Sequence, residues 1–113
     1  MKIRYFDYQM VWHSLRQWAS EAALRHPEVE KIIAFGSLVR REAVPGSDVD
    51  VILIVEESPL PFRERIPHYM PEAFPVGMDV FPYTRAEVEN MMREGNLVLK
   101  RALGEGIVIF ERG

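Results

Sequence analysis

Two aspartates one residue apart, Asp48 and Asp50, stand at the start of an apolar run, Val51 to Val55. Alternate residues of a strand leave the same face, so their Cβ atoms lie within roughly 7 Å of each other. Ionised carboxylates that close repel unless a cation or a donor sits between them. Mg²⁺, a hard ion held by one or two carboxylates and by substrate phosphates, meets that need. Ten residues separate Asp48 from Gly36-Ser37, which stands directly after a second apolar run, "KIIAF". A glycine that ends a strand and a serine that begins a helix leave backbone N–H groups turned toward an anion, with no Cβ to hold it off. Arg40, one turn on, is a fixed cation in reach of the same anion. A third carboxylate, Asp79, lies in a later apolar stretch, "GMDVFPY". Two carboxylates to hold metal and a third to take a proton from an attacking hydroxyl would suit phosphoryl or nucleotidyl transfer. Taken singly, each piece has a plainer use: Asp48 as a turn cap, Asp50 as a solvated strand end, Ser37 as an N-cap.

The pieces act together only if the fold joins them. Met10 to Arg25 has a helical stripe of Val11, Leu15, Trp18 and Ala22, ended by His26-Pro27. Residues 30–35 and 49–55 read as strands; the second is apolar enough to be covered on both faces. Between them lie a short helix over 37–42 and a Pro-Gly turn. If the two strands are antiparallel neighbours, Gly36-Ser37 and Asp48/Asp50 share one rim. If 77–83 is a strand parallel to 49–55, Asp79 joins them. "SPLPFRERIPHYMPEAFP" holds five prolines and reads as a connection with a helical turn or two, or as a lid. Thr84 and Glu87 form a capping box for a helix to Arg93, a second short helix runs from Asn96 to Leu103 and stops at Gly104, and "GIVIFE" is a closing strand. The expected class is α/β (α+β): a small mixed sheet flanked by helices, in one domain over 1–113.

With those residues in view, "GSLVRREAVPGSDVDVILIV" resembles the signature of the nucleotidyltransferase superfamily, Gly-Ser, about ten residues, then Asp-x-Asp. It is similar above all to the minimal nucleotidyltransferases, whose pattern GS-x-x-R-G-x-x-x-x-x-SD-x-D is met at Gly36, Ser37, Arg40, Ser47, Asp48 and Asp50. Arg41 departs from it, standing where the family often has glycine and offering the pocket a second cation. The resemblance implies the fold of the DNA polymerase beta palm and transfer of AMP from ATP to a hydroxyl. It implies Mg²⁺, one ion or two, on Asp48, Asp50 and Asp79, with Gly36, Ser37, Arg40 and Ser47 around the triphosphate. It further implies an antitoxin of a toxin–antitoxin pair that adenylylates a tyrosine of a HEPN ribonuclease partner. The alternatives are transfer to a small molecule, with a partner or a homodimer completing the acceptor site, and a non-catalytic partner-binding module that retains the nucleotide site.

Composition narrows the classes. The chain has 113 residues, a formal net charge of −3 and no cysteine. An acidic balance disfavours broad nucleic-acid binding, and the lack of cysteine removes disulfides and thiolate metal sites. The first twenty residues carry Arg, Asp, His and Gln, unlike a signal peptide or a membrane span, so a cytoplasmic protein is expected. His13, His26 and His68 show no metal-ligand spacing and are expected at surface or boundary positions. Trp12 and Trp18 read as helix packing, Met91 and Met92 as core filler, and the aromatic-rich "IRYFDYQMVW" as an added interaction surface.

Overall fold

Asp7 starts the first helix, its side chain accepting from the Met10 N–H at 3.0 Å. The computed structural model describes residues 5–113, so the first two residues of the aromatic-rich stretch, Ile3 and Arg4, lie outside it. Helix α1 (Tyr8–Arg25) buries Val11, Leu15, Trp18, Ala19, Ala22 and Ala23, a stripe at helical spacing. It starts two residues earlier than the apolar pattern indicates, because a cap and not a hydrophobe sets its first turn.

Strands β1 (Val29–Phe35), β2 (Val49–Val55), β3 (Met78–Thr84) and β4 (Ile107–Glu111) form one sheet in the order β3-β2-β1-β4. β1 pairs antiparallel with β2 and β4, and β2 pairs parallel with β3. The expected mixed sheet with flanking helices is thus the observed architecture. β2 is central, and its residues divide between two apolar layers. Val49, Val51, Leu53 and Val55 pack on the α1 side, whereas Ile52 meets Leu99 and Ala102 on the other. Each fully buried aliphatic of this kind contributes about 1.5–3 kcal/mol. That demand, period two with both faces covered, is why residues 51–55 are uninterrupted hydrophobes.

Helices α4 (Arg85–Arg93) and α5 (Leu97–Glu105) cover the second face. The capping box at the head of α4 is complete: Thr84 Oγ1 accepts from the Glu87 N–H, and Glu87 Oε1 accepts from the Thr84 N–H. Asn96 caps α5 through the Leu99 N–H. That helix runs through Gly104 and ends where Gly106 turns to extended backbone, a position at which a Cβ would collide with Ile33. Met91 packs into this layer while Met92 is exposed; Trp18 is buried and Trp12 half-buried beneath the Arg16 guanidinium.

The proline-rich connection contains a true helix, α3 (Phe62–Tyr69), with Pro67 inside it. Its buried Arg65 donates to the Leu60 and Pro82 carbonyls and to both carboxylate oxygens of Glu87. These bonds fix α3 beside the far end of β3, away from Asp79, so it is a crossover brace and not a lid on the aspartates. Among the described residues, no helix is long and apolar enough to cross a membrane.

Candidate functional site

The strand pairing decides where the acidic groups meet. Phe35, the last residue of β1, is opposite Asp50, and Asp50 is the parallel neighbour of Asp79. Asp48, just before β2, lies against Gly77, whose own carbonyl accepts from the Val49 N–H at 2.8 Å. A side chain at Gly77 would collide with the Asp48 carboxylate, and one at Gly36 with that of Asp50. Gly36 also has φ +83°, a conformation disfavoured for other residues. Two glycines therefore make room for two aspartates, and Asp48, Asp50 and Asp79 stand on one rim with Gly36-Ser37.

The electrostatics follow from that crowding. Burial first, then the Asp79 and Asp48 charges, pushes the Asp50 carboxyl up from its usual 3.8 to about 6; Arg40 pulls weakly the other way. Among the described residues, none of the three aspartates forms an ion pair with a basic side chain. Three oxygen-donor groups sharing a rim without a counter-charge fit a hard divalent cation.

Helix α2 (Ser37–Arg40) is a single turn, shorter than the 37–42 segment expected, because Arg41 closes it in the left-handed region at φ +58°. This is the physical reason for a glycine preference there: the position needs αL backbone. The Arg41 guanidinium lies over the Tyr8 ring, 4.6 Å from its centroid, so its charge is spent on that ring and not added to the rim. Ser47 holds the turn before Asp48, its hydroxyl accepting from the Val44 N–H at 2.9 Å.

One residue of the site carries no sequence signal. Glu105, at the end of α5, accepts from the Gly36 N–H at 3.2 Å and from Arg40 Nη1 at 2.9 Å through a single oxygen. Arg40 also bonds Glu42 through Nε. The N–H and the guanidinium expected to face an anion thus do face one, supplied by the chain itself. Beside the rim, on the face of Phe35, Ile52 and Phe81, lies an apolar cavity of about 170 Å³.

The sequence profile of the family described as "Polymerase beta, Nucleotidyltransferase" matches residues 19–113. The chain belongs to that family. Comparison with the curated proteins finds no match. Among solved structures, this nucleotidyltransferase domain is similar to a crystal structure of a Sulfolobus solfataricus protein assigned to the nucleotidyltransferases. The two have a TM-score of 0.65 and 15% identity, over 93% of this chain and 84% of the other. At that identity the likeness speaks for the fold, and in this nucleotidyltransferase the parallel β2–β3 pair is the part of it that carries the acidic rim.

Proposed function

We propose that this chain is a minimal nucleotidyltransferase that transfers AMP from ATP to a hydroxyl, with a tyrosine of a HEPN-type toxin as acceptor. The observation that carries the reading is the uncompensated rim: Asp50 beside Asp79 and against Gly36, and Asp48 against Gly77. Asp48, Asp50 and Asp79 would hold Mg²⁺, which when bound neutralises charge on the phosphates. Gly36, Ser37 and Arg40 receive the triphosphate once Glu105 has moved aside, and Ser47 keeps the loop that sets Asp48 in place. The purine would rest in the apolar cavity walled by Phe35, Ile52 and Phe81.

In the transfer, the acceptor oxygen forms a bond to the α-phosphorus as the bond to the pyrophosphate oxygen breaks. The acceptor proton goes to Asp79. The protein's part is to hold donor and acceptor in line and to place charge where the transition state needs it. The antitoxin assignment rests on the resemblance of the signature Gly36 to Asp50 to the minimal members of the family.

The test is incubation of the chain with labelled ATP, Mg²⁺ and a partner captured from its host. Label transferred to a tyrosine of the captured protein, and absent with Asp48→Asn/Asp50→Asn, supports the reading. Transfer to a small molecule alone moves the acceptor to the other class. Tight partner binding without any transfer leaves a docking module with an idle nucleotide site.

A further inference from the structure

The end of the sheet opposite the aspartates holds a second cluster. His26 and His68 do lie at boundary and surface positions, as expected, yet the fold brings them together although their spacing in sequence shows no ligand pattern. His26 ends α1, Glu28 directly precedes β1, and His68 lies in the last turn of α3. One ligand-capable atom from each of the three falls within 4.8 Å of the others. His26 Nδ1 is 3.7 Å from Glu28 Oε2, and the two imidazole rings have centroids 4.9 Å apart.

The surroundings are those of an oriented ligand set. The Tyr69 hydroxyl donates to Glu28 Oε2 at 2.6 Å, and the Tyr69 ring packs edge-on against both imidazoles. An outer hydrogen bond of this kind fixes the direction of a ligating carboxylate. The backbone of His26 is held on both sides, its N–H donating to Ala22 and its carbonyl accepting from Val29 and Arg112. His26, His68 and Tyr69 also line the mouth of a cavity of about 400 Å³ between α1 and the segment after α3. Two imidazoles and one carboxylate, with an open side, match the three-ligand pattern of zinc sites that keep a fourth position. Ligands about 2.0–2.1 Å from a tetrahedral ion lie roughly 3.3 Å apart, and rotation of the exposed His68 closes the remaining gap. Arg25, close to His26, is a charge that opposes a cation; Glu28 offsets it.

We propose that His26, Glu28 and His68 form a binding site for a borderline divalent cation of the zinc class, with its open position toward the cavity. The ion would clamp the end of α1 to α3. It would be separate from the acidic rim, because β1 begins at Val29 opposite Val55 and reaches Asp50 only at Phe35. Nitrogen ligands also separate the two sites chemically: imidazole suits Zn²⁺, whereas carboxylates alone suit Mg²⁺.

Zn²⁺ titrated calorimetrically into the metal-free full-length chain tests this, with Co²⁺ as a visible-absorption probe of geometry. The Asp48→Asn/Asp50→Asn protein serves to silence the rim. The expected result is one Zn²⁺ per chain, tighter than about 10 μM, unchanged in the rim variant and accompanied by a rise in Tm. His68→Ala, at an exposed position where the fold tolerates truncation, should weaken binding by more than about 100-fold, and Tyr69→Phe by about 10-fold. No stoichiometric binding, binding that survives His68→Ala within about threefold, or binding lost in the rim variant instead, each overturns the site.

Discussion

Strand β3 has a carboxylate near its start and leads into another in the first turn of α4, and the fold treats the two in opposite ways. At its far end Glu87 meets the buried Arg65 through two bonds, of 2.6 and 3.2 Å, and also closes the cap of α4. Bonding to Arg65 holds the Glu87 carboxyl below its usual range, although burial works against it. At its start Asp79 stands beside Asp50 with like charge on like, and Asp50 is pushed up to about 6. One acid, in the first turn of α4 just past the strand, thus has its charge compensated by the fold, and the other, near the strand's start, has its charge left standing. The second arrangement costs the folded state stability, and it suits the cation site proposed above.

The largest effect should come from breaking the compensated end. Arg65→Ala leaves Glu87 short of its partner, and the Pro82 and Leu60 carbonyls lose their donor as well. Arg65 is buried but the Glu87 side chain is 39% exposed, so the loss, carried mostly by the orphaned carbonyls, should be about 2–3 kcal/mol. Urea unfolding should show that loss in the midpoint at unchanged slope. Arg65→Met with Glu87→Gln, which removes both charges, should recover only the part due to the charges. A loss under about 1 kcal/mol for Arg65→Ala would put this pair in the same class as the exposed pairs and dissolve the contrast.

The uncompensated end predicts the reverse sign. Asp50→Asn should stabilise the metal-free protein by about 1 kcal/mol at neutral pH, after allowance for solvent screening at an open rim. A carboxyl with a raised folded-state value favours the folded state when protonated. The difference between wild type and Asp50→Asn should therefore be absent below about pH 4. It should grow as pH rises from about 4 to about 6 and stay constant above that, with Asp48, Asp79 and Arg40 as the facing charges. Excess Mg²⁺ should erase it for wild type only. Thermal melts of both proteins over that range check the sign. A wild type that gains stability relative to the variant through this window would mean that Asp50 has a cationic partner.

How much of this was legible in the sequence depended on distance along the chain. Strand 49–55, the capping box at Thr84 and Glu87, and the order of helices and strands are local patterns, set by residues within about one turn or one strand of each other. The register Asp50 to Asp79 followed once β2 and β3 were taken as parallel. Glu105 was not legible, since it meets Gly36 and Arg40 across 69 and 65 residues and nothing in "ALGEGI" marks it. His26 and His68 meet because tertiary contacts hold α3, among them the Arg65 bonds and the Tyr69–Glu28 bond, inside a proline-rich stretch that looks like loop. The αL backbone of Arg41 ran against residue preference; a glycine there would have announced it.

Glu105 offers a finer comparison within the rim, because it gives the cationic half of the site an internal counter-charge while the acidic half has none. Glu105→Gln keeps a hydrogen-bond acceptor for the Gly36 N–H and Arg40 but removes the competing charge. An exposed ion pair is worth up to about 1 kcal/mol, so ATP affinity with Mg²⁺ should rise by about threefold to fivefold. Fluorescent-nucleotide titration reads this. Unchanged affinity would mean that the nucleotide approaches without displacing Glu105, and the anion seat would have to be drawn elsewhere.

The smallest effect separates Arg41 from both halves. Its guanidinium sits over Tyr8, and its backbone bears the cost of a positive φ. Arg41→Gly removes a strain of about 1 kcal/mol. It also gives up about 0.5–1 kcal/mol of contact with the ring and a similar amount to the greater freedom of the unfolded chain. The three contributions nearly cancel, so stability should stay within about 0.5 kcal/mol of wild type. Arg41→Ala keeps the strain and loses the ring contact, so it should fall about 0.5–1 kcal/mol below wild type. Neither should change ATP affinity, because the charge they remove faces the ring of Tyr8. A drop in affinity for both variants, with stability unchanged, would show instead that Arg41 swings to the phosphates when nucleotide arrives, and that the cationic half of the rim is larger than its resting geometry displays.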